Sequence, residues 1–175
     1  MRASFVFPFD PHAKGRPRWV SNGATGHMIT PPDTRRWERA LAAAAVQALP
    51  EATFTGPVRV DVLAVWPRPK RLRRRVDPFG LLYRPARPDA DNVRKWVLDS
   101  LKRHWSDDAQ VVAGETIKVY SRKSEQRGRV VISISDELED PEVLAERLGL
   151  VESWRPESSP SCGEGGPDGG ANQDD

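Results

Sequence analysis

The run Arg87-Pro88-Asp89-Ala90-Asp91-Asn92-Val93-Arg94-Lys95 places two carboxylates on alternate positions inside a strongly basic stretch. Between positions 67 and 88 the chain carries Arg68, Lys70, Arg71, Arg73, Arg74, Arg75, Arg84 and Arg87 against the single acid Asp77. A basic surface attracts phosphate, and clustered carboxylates repel it unless a hard divalent cation lies between them. Acids embedded in a basic segment therefore point to metal-dependent chemistry on a nucleic acid backbone. A second acidic pair follows in Asp107-Asp108-Ala109-Gln110-Val111-Val112, and Asp108 is the third candidate ligand. With Asp89 and Asp91 it would hold one or two hard cations, leaving coordination places for water and a phosphate oxygen.

The elements that must position these residues can be read from periodicity. A helix is expected over about 89–104, with Val93, Trp96, Val97, Leu101 and His104 on one face and Asp91, Lys95, Asp99 and Lys102 on the other. Leu98 falls on the charged side, as at a crowded site or a subunit contact. Asp89 and Asp91 then sit where the helix dipole favours negative charge. Aspartates at a helix start ordinarily cap it, and Lys95 would ordinarily pair with Asp91 and Asp99, so the short motif is weak by itself. Asp108 would join the first two acids only if the chain reverses tightly.

Elsewhere, a first strand is expected over 4–9, followed by the loop Lys14-Gly15-Arg16-Pro17-Arg18-Trp19 and an alanine-rich helix over about 34–49 ended by Pro50. Alternation of Val58, Val60, Val62, Ala64 and Trp66 predicts a strand over 58–66. The proline-rich basic segment 67–88 has no periodicity and is expected to be a mobile loop. Strands near 111–120 and 129–135, and a last short helix from Asp140 to about Leu148, complete the pattern. The expected fold is α/β (α+β), a small mixed sheet of about four strands with two main helices. The domain would span 1–136, followed by a C-terminal helical segment 137–150 and an acidic, disordered tail 151–175.

Charge divides the chain in the same place. Residues 1–135 hold 25 Lys and Arg against 13 Asp and Glu, whereas 136–175 hold 2 against 12. The one cysteine, Cys162, excludes an intramolecular disulfide and leaves no partners for a thiolate zinc cage. No Ser/His/Asp or Cys/His arrangement indicates a covalent nucleophile, and the absence of a glycine-rich phosphate loop argues against a nucleotide cofactor. No apolar run suits a membrane span or signal peptide, so a cytoplasmic protein is expected.

Arg87 to Lys95, with Leu98-Asp99-Ser100-Leu101 and then Asp107-Asp108-Ala109-Gln110-Val111-Val112, resembles the RusA family of Holliday junction resolvases, often encoded by phages and prophages. The resemblance covers about residues 3–136. It implies catalytic and metal-ligating roles for Asp89, Asp91 and Asp108, a functional role for Lys95, magnesium as cofactor with manganese as a substitute, a homodimer, and paired nicks across a four-way DNA junction. Lys14, Arg16, Arg18, Lys70, Arg71, Arg73, Arg74 and Arg75 would grip the DNA backbone. The rival readings are a non-catalytic branched-DNA-binding protein and a flap or fork nuclease; the first would lose affinity by carrying three acids in its contact surface. The long arginine-rich loop and the acidic tail depart from the compact family form.

Overall fold

Strand and helix formation follow the residue pattern from the first element onward. The computed structural model describes residues 1–148 apart from 22, 24, 51 and 52, and the expected acidic tail lies outside the described residues. In chain order the elements are β1 (Arg2–Phe7), β2 (Arg18–Ser21), β3 (Gly26–Ile29), α1 (Pro32–Ala48), β4 (Val58–Trp66), β5 (Leu82–Tyr83), α2 (Ala90–Leu101), β6 (Val111–Ala113), β7 (Thr116–Tyr120), β8 (Arg129–Ser135) and α3 (Pro141–Arg147). One compact unit spans Met1–Leu138 and a second begins at Glu139. In the second, Asp140 caps α3 by accepting from the Glu142 N–H at 2.9 Å, and Arg147 pairs with Glu139 at 2.8 Å.

The first unit is a mixed sheet in the order β1-β8-β4-β7-β5, with β6 pairing β4 beside the start of that strand. β1, β8 and β4 are successively antiparallel, whereas β4 and β7 run parallel, Val62 opposite Thr116 and Trp66 opposite Tyr120. Parallel neighbours need a crossover, and α2 is that crossover helix. Helices α1 and α2 cover one face of the sheet. Leu41 and Ala45 from α1, and Val93, Trp96, Val97 and Leu101 from α2, are fully buried against Phe7, Val58, Val60, Val62, Val130, Ile132 and Ile134. Among the described residues no helix is long and apolar enough to cross a membrane.

The mixed α+β class is as the sequence predicts, with differences in detail. The single strand expected over 111–120 is broken at Gly114, whose φ is +125° and whose missing Cβ would stand 1.9 Å from the Val60 carbonyl oxygen. Only glycine fits such an approach in that conformation. The loop over 14–19 runs into a two-stranded hairpin, β2 with β3, that the residue pattern does not announce. His104, placed by periodicity on the apolar face of the helix, is buried.

Segment 67–88 has more structure than its composition suggests. It contains a 3₁₀ turn, Lys70–Leu72, and the edge strand β5, with Leu82 opposite Tyr120. Arg68 is its anchor, only 1% exposed. Its guanidinium donates to the Ser121 carbonyl at 2.9 Å, to the Pro78 carbonyl at 2.5 Å and to the Gly80 carbonyl. A buried charge is tolerable only when its donors are satisfied, and three carbonyls provide that here.

Candidate active site

The crossover topology decides where the acids can stand. A helix joining parallel strands starts beyond the carboxyl end of the first strand and ends near the amino end of the second. Asp89 and Asp91 open α2, and Asp108 lies in the 3₁₀ turn Asp108–Gln110 that leads into β6, whose Val111 sits opposite Val58 at the start of β4. The first two acids and the third therefore flank opposite ends of α2, and from Asp91 to Lys102 the axis rises about 16 Å. Among the described residues no three His, Cys, Asp or Glu side chains are grouped closely enough to hold a metal ion. One chain thus brings Asp89 and Asp91 to the same end of α2 and leaves Asp108 beyond its other end.

Asp89 is the N-cap residue of α2 by backbone position, yet its side chain makes no cap hydrogen bond. Its carboxylate instead belongs to an open cleft of about 630 Å³ that it lines with Arg16, Arg87, Pro88 and Asn92. Asp91, in the first turn, is well exposed and pairs with Lys95 at 3.6 Å. A pair this exposed contributes little to stability. Both the acid and the lysine are therefore available to a ligand.

The walls of this cleft are held by residues whose roles the sequence does not announce. Lys118 on β7 donates to the Ala86 carbonyl at 2.9 Å and the Pro88 carbonyl at 2.7 Å. Arg84 donates to the Ala86 carbonyl at 2.7 Å and to the Arg87 carbonyl, while stacking 4.2 Å over the Trp66 ring. Arg94 reaches back to the sheet, donating to the Val60 carbonyl at 2.9 Å and the Ala113 carbonyl at 3.0 Å. It thereby caps the strand break made at Gly114. The only signal of this in the sequence is an arginine inside the acidic motif on the buried side of a helix.

Lys14, expected to touch DNA, is instead half-buried in a charge network. Its ammonium lies 2.7 Å from Glu38 on α1 and 2.7 Å from Asp99 on α2, and its backbone N–H donates to the Asn92 carbonyl at 3.0 Å. Lys102 continues the network, 3.0 Å from Asp99 and 3.3 Å from Asp108. Partial burial opposes ionisation of Asp99, but hydrogen bonds and charge from Lys14 and Lys102 outweigh it and hold its pKa below the usual carboxylate value. Burial likewise opposes the charge on Lys14, and Asp99 and Glu38 outweigh that too, raising its pKa. Lys102 is raised by Asp99 and Asp108.

Within the later acidic pair the two residues have different work. Asp107 caps its 3₁₀ turn, accepting from the Ala109 N–H at 2.8 Å, while the Gln110 side chain accepts from the Asp107 N–H at 3.0 Å and donates to the Gly56 carbonyl at 2.9 Å. Asp108 is left outward, touched by the Trp105 indole N–H at 3.2 Å and by Lys102. This division leaves Asp108, and not the capping Asp107, open to solvent and to a ligand.

The cations of the basic loop divide similarly. Lys70, Arg71, Arg74 and Arg75 are exposed, and Arg73 is half-buried with its guanidinium on the Gln126 side chain. Arg74 pairs with Asp77 at 3.5 Å. Arg16 and Arg18 are exposed beside the Asp89 cleft and on β2 respectively.

The chain matches the family model described as Endodeoxyribonuclease RusA over residues 8–135, which takes in both acidic motifs, α2 and the whole parallel crossover. It is also 36% identical over 120 residues to Uncharacterized protein YqaN of Bacillus subtilis (strain 168), a match covering 65% of this chain and 84% of that protein. With an uncapped aspartate at the mouth of a basic cleft and a match of this extent, the chain belongs to the RusA family of endodeoxyribonucleases.

Proposed function

We propose that this protein is a magnesium-dependent endonuclease that resolves four-way DNA junctions and related branched DNA by paired nicks, acting as a homodimer. The observation that carries the reading is the Asp89 carboxylate, free of any cap hydrogen bond in a cleft lined by Arg16 and Arg87. The arginines attract the phosphate backbone; the acid, useless to a pure binder, serves a hard cation. When bound, such an ion polarises the scissile phosphate and lowers the pKa of an attacking water. Lys95, exposed beside Asp91, neutralises charge developing on the phosphate oxygens.

The separation of Asp108 from Asp89 and Asp91 supports the dimer. Asp91, Lys95, Leu98 and Lys102 form one stripe along α2, exposed except for the half-buried Leu98. An isologous pairing along that stripe, helices antiparallel, sets one chain's Asp89 and Asp91 beside Asp108 of the partner subunit and makes two identical sites. The substrate has the same two-fold symmetry.

The test is cleavage of a synthetic four-way junction beside linear duplex and flap, with and without magnesium. The expected result is magnesium-dependent paired nicking of the junction, abolished by Asp89→Asn, Asp91→Asn or Asp108→Asn with junction binding retained. Preferential cutting of the flap would reassign the substrate, and junction binding without any cleavage would leave a binding protein.

A further inference from the structure

The β2–β3 hairpin turns its largest apolar side chains outward. Trp19 and Met28 are cross-strand partners and stand 64% and 58% exposed. Their neighbours on the opposite face, Val20 and Ile29, are half-buried. A hairpin serving only structure would bury its tryptophan first, since an indole carries the largest apolar area of any side chain. Trp19 is nevertheless held in place: it lies across Gly26, where an added Cβ would meet the indole ring at 2.2 Å.

The surroundings say what this surface meets. Trp19 follows Arg16-Pro17-Arg18, and Arg16 lines the cleft of Asp89. The segment is fixed against the helices at its root, by the Lys14 N–H on the Asn92 carbonyl and by Gly15, whose Cβ position lies 2.4 Å from the Thr34 hydroxyl. A cation-flanked indole three residues along the chain from an arginine of a phosphate-attracting cleft suits a nucleobase face, because stacking needs a flat ring and adjacent cations hold the backbone. In intact duplex the base faces are covered by their neighbours. At a branch point they are open.

We propose that Trp19, backed by Gly26 and flanked by Met28, is a stacking platform for an unstacked base at the branch point, and so a determinant of preference for branched over linear DNA. This rests on the nuclease reading above, and the two fail in different measurements. In metal-free buffer the full-length protein is titrated with a four-way junction, with linear duplex of the same sequence, and with a junction carrying 2-aminopurine at the branch. Trp19→Ala is expected to weaken junction binding about tenfold, with duplex binding changed less than about twofold. It should also brighten bound 2-aminopurine, since the indole no longer quenches it.

Trp19→Phe should recover most of the affinity. Gly26→Ala, which displaces the indole without removing it, should lose part of it. Circular dichroism confirms that each variant folds. Equal weakening on junction and duplex, or no change in either affinity or fluorescence, overturns the proposal. A change of mass for Trp19→Ala in sedimentation equilibrium also overturns it, by assigning the face to contacts between copies. Wild-type protein that prefers junctions but never cuts them with magnesium would remove the nuclease reading and leave this one standing.

Discussion

Asp99 shares its two oxygens between Lys14 and Lys102, and the shifts on all three groups set a pH window. Asp99 has a lowered folded pKa, so its contribution is full above the ordinary carboxylate value of about 3.9 and is lost as pH falls through the lower folded one. Lys14 and Lys102 have raised values, so theirs are full below about 10.4 and are lost as pH rises through the folded ones. Thermal melts across pH should show wild type losing stability at the acid end faster than Asp99→Asn, with the two curves parallel above about pH 5. Lys14→Ala removes this partner from Glu38 and leaves Asp99 with Lys102 alone, and should cost about 1–3 kcal/mol, between the worth of exposed and buried pairs. At the later acidic pair, Asp107→Asn retains a capping oxygen and should cleave near the wild-type rate, whereas Asp108→Asn should not. Single-turnover assays on a four-way junction separate the two.

Among the elements, β4 and β8 occupy the spans that sequence alternation predicts, because both are central strands whose inward residues are uniformly apolar. The helices fall within a few residues of expectation for the same reason at the helical period. The hairpin is illegible because its strands are four residues each and its apolar side faces water, reversing the rule that alternation is read by. The order in 67–88 is illegible because its anchor is a single buried arginine bonded to carbonyls, and carbonyls leave no mark in a sequence. Two element-scale outcomes follow. Arg68→Ala should destabilise the fold by about 3 kcal/mol or more, through three abandoned carbonyls and a void. Neutralising Arg71, Arg73, Arg74 and Arg75 together should leave the melting temperature nearly unchanged while flattening the salt dependence of DNA binding, by up to about 0.9 in slope for each phosphate no longer neutralised. An unchanged salt slope would make the loop a spacer.

For the whole molecule, the residue pattern supplies the three acids but not their grouping, since the separation of the two ends of a crossover helix is a property of topology, not of residue type. The proposed dimer has a consequence a self-contained site lacks. Asp89→Asn and Asp108→Asn protomers, each inactive alone, should regain cutting when mixed, because the mixed dimer holds one site with all its acids intact and one with both substitutions. The regained product should be a single nick rather than a resolved junction. Mixed protein with no activity, after exchange of subunits is verified by mass, would return all three acids to one chain.

The way Arg68 holds segment 67–88 separates that segment's shape from its charge. Every acceptor of the anchoring guanidinium is a main-chain oxygen, at Ser121, Pro78 and Gly80, and none belongs to the exposed cations at 70, 71, 74 and 75. Lys70, Arg71 and Arg75 are thus open to replacement without rebuilding the loop, and Arg74 gives up only its pair with Asp77. A chain organised in this way can retune how tightly it holds its polymer, by trading arginine for lysine or a neutral residue, while the path that delivers Asp89 to the cleft stays the same.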